Sequence, residues 1–136
     1  MRMNSVPIAH TALSVSRCLA NPRFLDRFYE LFVSSSDEVA AKFRDTDFDK
    51  QKRALASSLY LMVMAMEEGD AAIAYLSKIA ERHNRHDLDI RPEMYDVWLD
   101  CLVCAASECD PEFTDAIEQG WRETMKFGID FMRKLH

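Results

Sequence analysis

The chain has 136 residues, 49% of them hydrophobic and 29% charged, with a formal net charge of -6. That length supplies a core without disulfide staples, while the acidic balance excludes a nucleic-acid binder, which needs a basic face to displace counterions, and argues against docking to an anionic membrane. Three glycines and four prolines leave little material for the turns of a sandwich or barrel, so long helices are expected in one domain spanning residues 1–136.

The first stretch, "VPIAHTALSV", is mildly apolar but is interrupted by His10 and followed by Arg17. Without a clean small-residue cleavage site it predicts an amphipathic helix over residues 5–19 rather than a leader, and a cytoplasmic protein. Asn21-Pro22 then offers a cap and a proline at a helix start. The helix it opens, residues 22–34, carries Phe24, Leu25, Phe28, Leu31 and Phe32 along one side, with Tyr29 beside the stripe. Ser36 before Asp37 and Glu38 starts a short helix over 37–43 that ends near Phe43. Thr46 or Asp47 starts a long one over 47–67, with Leu55, Leu59, Met62 and Met66 inward. Its longest apolar run, Leu59 to Met66, is too short to cross a bilayer.

Gly69-Asp70 stops that helix and caps the next, residues 71–84. Arg91-Pro92 and Asp110-Pro111 open two more, over 92–109 and 111–135. Every segment repeats with a period close to 3.6, and none has the alternation of a strand. The fold class is therefore all-α, with about seven helices. Their unequal lengths suit a layered arrangement around a cavity better than an up-down four-helix bundle.

Two groups of residues suggest metal chemistry. Cys101 and Cys104 form a C-x-x-C, with Cys109 nearby and Cys18 distant. With no second pair and no flanking glycine or proline, it reads as buried free thiols of a helix rather than a zinc or redox turn. His83 lies on the face shared by Ala72, Leu76, Ile79 and Ala80, so it points inward. A buried neutral imidazole needs a partner for each nitrogen. A core hydrogen bond satisfies that need for one of them and a metal for the other, and periodicity alone leaves both readings open. His86 completes an H-x-x-H, but no third ligand follows, and it reads as a solvated residue. Gln51 stands one turn ahead of the apolar face formed by Leu55, Ser58 and Met62.

The order of "FYELF", "KFRDTDFDKQKRAL", "LSKIAERH", "DIRPEMYDVWLDCLV" and "GWRETMKFGIDF" resembles the bacterial single-domain globins, over about residues 20 to 132. The resemblance implies a globin-like fold around haem b. In it His83 matches the proximal iron ligand, and Phe43, with Phe48 as a second candidate, the phenylalanine packed on the haem at the corner after the third helix. Tyr29 and Gln51 match the distal polar pair, and Leu55 the apolar distal residue. Tyr95 and Trp98 match residues below the haem, and Trp121 the tryptophan of the last helix. Lys52, Arg53, Arg85 and His86 are candidates to meet the haem propionates, and Met62 and Met66 read as core packing.

The implied ligands are diatomic gases: O2, with NO and CO. The implied roles are oxygen binding or transport, or NO detoxification; the alternative is a stand-alone gas-sensing module that signals through a partner protein, and a homodimer is compatible with either. One departure stands out. Flavohaemoglobin-like chains carry a tyrosine and a glutamate in the last helix that polarise the proximal histidine. The corresponding positions fall here on Met125 and near His136, neither of which can act as the carboxylate. With the sequence ending at His136, NO dioxygenation is expected to need an external reductase.

Overall fold

The computed structural model describes residues 8–68 and 92–134, with side-chain surroundings for 9–64 and 94–130. Six α-helices are present among them: α1 (Ile8–Ala20), α2 (Arg23–Val33), α3 (Asp37–Lys42), α4 (Phe48–Glu68), α5 (Pro92–Cys109) and α6 (Asp115–Lys134). No strand occurs among the described residues. The expected helix over 71–84, the Gly69-Asp70 stop and His83 lie outside the described residues.

The helix starts follow local chemistry. Asn21 Oδ1 accepts the backbone N–H of Arg23 at 2.9 Å. Ser36 Oγ accepts that of Val39 at 3.1 Å. Asp47, not Thr46, opens α4, with its Oδ1 accepting from Asp49 and Lys50 at 3.1 and 3.2 Å. Each bond satisfies a donor that the first turn leaves without a partner.

The last helix starts later than the Asp-Pro pair predicts. Asp110 Oδ1 accepts from Glu112 N at 2.9 Å and Phe113 N donates to Asp110 O at 3.1 Å. These bonds fold residues 110–113 into a turn, and Thr114 caps α6 by accepting from Ile117 N at 3.2 Å. Aspartate offered two roles, helix cap and turn former, and its side chain took the second.

The closest helix pairing is α2 on α5, and α6 packs on α1, α4 and α5. Ala105 and Ala106 are fully buried on α5. Small residues there let neighbouring backbones approach, and Cys18 Sγ on α1 reaches Ala106 O at 3.8 Å. Phe24, Phe28 and Phe32 form the inner stripe of α2, each fully buried or nearly so and each contributing about 1.5–3 kcal/mol by leaving water. Leu25 and Leu31, expected on the same stripe, are half-buried at its edges. Met62 is core, as its period implies. It lies over Gly128 of α6, where an added Cβ would stand 2.8 Å from its sulfur, so the glycine sets how closely α4 and α6 cross.

A buried polar chain pins α1 to the corner between α5 and α6. Trp121 Nε1 donates to Ser14 Oγ at 2.8 Å, and Ser14 Oγ donates to Asp110 Oδ2 at 2.6 Å. Arg17 closes a fork on the same carboxylate, at 2.7 and 3.0 Å. Burial pushes the Asp110 carboxyl up, but the Arg17, Ser14 and Glu112 hydrogen bonds outweigh it and hold the group below its ordinary value. A depressed carboxylate stabilises the fold above its unfolded value of about 3.9 and loses that contribution as pH falls through the folded value. Replacing Asp110 by Asn should therefore cost about 2–3 kcal/mol near neutral pH and flatten the acid limb of stability. Denaturant titrations from neutral pH downward check this, and an unchanged acid limb would contradict it.

Candidate functional site

The residues singled out on α2, the corner after α3, and α4 come together. Tyr29 faces inward from α2 and is 6% exposed. Its ring meets Phe43 edge-on at 5.9 Å and Phe48 at 5.5 Å, and Phe28 packs on it at 4.8 Å. Phe43 and Phe48 stack on each other at 6.1 Å. Phe43 is buried beside them and Phe48 half-buried. The two candidates for the corner aromatic thus share one wall.

Into this apolar setting Tyr29 brings one hydroxyl; burial pushes its phenol up to about 12, a shift that the neighbouring Gln51 amide in the first turns of α4 opposes without reversing. Leu55, one turn beyond Gln51, is 8% exposed and continues the same face of α4. The site therefore offers an apolar wall with two adjacent polar groups, a phenol and an amide, both able to donate.

On α5, Trp98 is half-buried and meets Phe28 edge-on at 6.0 Å, which sets it against the back of the Tyr29 cluster. Tyr95 lies one turn earlier, also half-buried. Trp121 stands apart from this group. It is fully buried in α6 against Phe24, at 5.9 Å, and belongs to the core and to the Asp110 chain. His83, Arg85, His86 and Met66 lie outside the residues whose side chains are described. Of the basic residues near the start of α4, Lys52 is committed to Asp26 of α2 at 2.7 Å, whereas Arg53 is exposed.

The cysteines differ in one respect from their expected burial. All four are free, but Cys104 is exposed and Cys101 and Cys109 are half-buried; Cys18 alone is fully buried. The period places Cys104 at the edge of the α5 stripe, where Glu108 accepts from its thiol at 3.6 Å. Desolvation pushes Cys18 up to about 12 and raises the other three, so the thiols rest protonated at neutral pH.

The Asp110 chain and the surface cleft beside Tyr29 were not apparent in the sequence. The signal for the first was "ECDPE", read as a helix start. Asp26 and Val33, which help to form the cleft, are separated on α2 by a spacing that periodicity assigns to its outer edge, and nothing in the sequence marks them.

A family model, Globin, matches residues 27–131. The chain belongs to the globin family. It is 35% identical to protein PA3967 of Pseudomonas aeruginosa PAO1, whose crystal structure is described as structurally highly homologous to a human hemoglobin. The two superpose with a TM-score of 0.85 over 93% of this chain and 95% of that one. A flavohemoprotein of Halalkalibacterium halodurans is 28% identical over 106 residues. That match takes in 76% of this globin chain and 25% of the longer protein, so the chain spans a quarter of the curated relative's length. As for the membrane, no helix among the described residues is long and apolar enough to cross one.

The buried phenol gives a direct check of the geometry. Tyr29 should stay protonated until about pH 12, and Gln51→Leu should move its ionisation higher still. Ring-carbon NMR of labelled tyrosine follows this. Ionisation at the ordinary value of about 10 in the folded chain would contradict the site as described.

Proposed function

We propose that this globin holds haem b and binds a diatomic gas reversibly, O2 foremost, with Tyr29 and Gln51 as the groups that retain the gas. The observation that carries the proposal is a buried tyrosine hydroxyl inside an aromatic wall, with the Gln51 amide as its polar neighbour. A tyrosine in a purely structural core needs only to fill space, and a phenylalanine does that without a polar atom to satisfy. Two adjacent donors beside Leu55 and Phe43 suit a small ligand that carries partial negative charge when held.

The residues fit the group that the family implies. Phe43, Phe48 and Leu55 offer apolar surface to a flat ring system, and no buried charge opposes it among them. His83 is the residue proposed to hold the iron. When bound, haem would supply an iron able to take up a diatomic gas reversibly, with His83 as the residue that would hold it. The chain's own part is to keep water from the distal side with Phe43, Phe48 and Leu55 and to present the two donors. Each donor, at about 1–1.5 kcal/mol net, slows gas release by about 5–13-fold if its bond is lost on the way out.

Met125 bears on which chemistry the site favours. It is fully buried in the apolar core, at the position where flavohaemoglobin-like chains place a tyrosine, and it cannot polarise a histidine. This favours gas binding over peroxidase-like reactions.

The absorption spectrum tests the proposal. The purified chain, given haem, should show a Soret band that shifts on reduction and again with CO, and His83→Ala should lose most of the haem. Full retention by the variant would remove His83 as the ligand. Tyr29→Phe should keep haem and release O2 about tenfold faster by stopped flow, the effect of one lost bond. An unchanged off-rate would dismiss the phenol from the distal role.

A further inference from the structure

A cleft of about 300 Å³ opens between the outer edges of α2 and α4, lined by Asp26, Tyr29, Glu30, Val33, Phe48 and Lys52. Its floor is the apolar set Tyr29, Val33 and Phe48, and its rim is charged. Tyr29 therefore has two sides. Its hydroxyl meets Gln51, while part of its ring faces this outer cleft.

The helices leave the gap open. α2 packs mainly on α5, with lesser packing on α3 and α1, and its links to α4 across the cleft are carried by side chains. One of these links is polar, Lys52 Nζ to Asp26 Oδ1 at 2.7 Å on the outside, and the residue before it on α4, Gln51, neighbours the Tyr29 phenol within. Another is the edge-on contact of Phe48 with Tyr29 at 5.5 Å. Phe48 is half-buried, so it is less confined than Phe43 beside it. Glu30, at the charged rim, is paired with Arg27 at 2.6 Å.

We infer that this cleft is the portal through which a diatomic gas reaches the distal site, with Phe48 as its door and the Lys52–Asp26 ion pair as a strap across its mouth. The inference rests on the haem-globin reading and specifies how that site is entered. A small, weakly polar gas partitions onto an apolar floor more readily than through a charged rim. Turning the Phe48 ring, or parting an exposed ion pair that holds weakly in water, opens the way without separating Tyr29 from Gln51. Entry and retention are then set by different residues.

The test uses the full chain loaded with haem and CO recombination after flash photolysis. Val33→Trp fills the cleft from outside and leaves Tyr29 and Gln51 in place. It should slow CO association by about tenfold, equivalent to about 1.4 kcal/mol of added barrier, with the Soret spectrum unchanged. Asp26→Ala removes the strap and should speed association. A second readout needs no gas chemistry: Asp26→Ala should also accelerate amide hydrogen exchange in the first turns of α4, with or without haem. Unchanged association in Val33→Trp with a normal Soret band would overturn the portal while leaving the haem reading intact, and a chain that takes up no haem would overturn the haem reading itself. Should Val33→Trp fail to fold, Asp26→Ala decides alone: unaltered association and unaltered exchange refute the strap and the portal together.

Discussion

A tyrosine hydroxyl sunk among phenylalanine rings is costly unless a polar group stands near it, and in this chain the side chain of Gln51 is that neighbour. The juxtaposition constrains what surrounds it. Together with the Lys52–Asp26 ion pair and the Phe48–Tyr29 contact, it relates the first turns of α4 to α2. It requires the corner after α3 to deliver Phe43 and the start of α4 to deliver Phe48, so that rings rather than water cover the pair. It also requires α2 to be held from behind, which its packing on α5 provides, Phe28 lying against Trp98. A single polar contact is worth little in isolation. Its consequence here is geometric: two donors stand side by side in an apolar setting.

The frame that makes this possible is anchored elsewhere. The chain from Trp121 through Ser14 to Asp110, closed by Arg17, ties the first helix to the corner between the last two helices. Its groups are satisfied by one another, so the burial of a carboxylate there is tolerated rather than merely costly. Gly128 under Met62 sets the approach of α4 to α6 by absence of a side chain. The corner between α5 and α6 is thus specified by polar pairing and the crossing of α4 with α6 by close packing. On the proposed reading, that division leaves the side of the site towards α2 and α4 free to admit a ligand.

Much of this was legible in the sequence, for physical reasons. Period and caps located the helices, because Ser36 and Asp47 carry oxygens suited to the donors that a helix start leaves open. Tyr29 could be placed beside the apolar stripe of α2 and Gln51 one turn ahead of the apolar face of α4, and the resemblance carried by the order of segments set them with Phe43 and Leu55. Other features were not legible. Asp110 before Pro111 suits a helix start and a turn equally well, and only contacts with Arg17 and Ser14, more than ninety residues away in sequence, decide for the turn. Cys104 lies at the border of an apolar stripe, where a shift of a few tens of degrees exchanges burial for exposure. The cleft beside Tyr29 has no sequence pattern, since a gap is defined by helices that fail to meet.

On the proposed reading, Tyr29 and Gln51 donate to a gas held at the distal site. The infrared stretching band of CO bound to the haem-loaded chain reports on this, because a donor at the oxygen end weakens the C–O bond and lowers its frequency. A lowered band is expected in the native chain, moving upward in Tyr29→Phe and further upward when Gln51→Leu is added. A band at the same frequency in all three proteins would remove both side chains from that role.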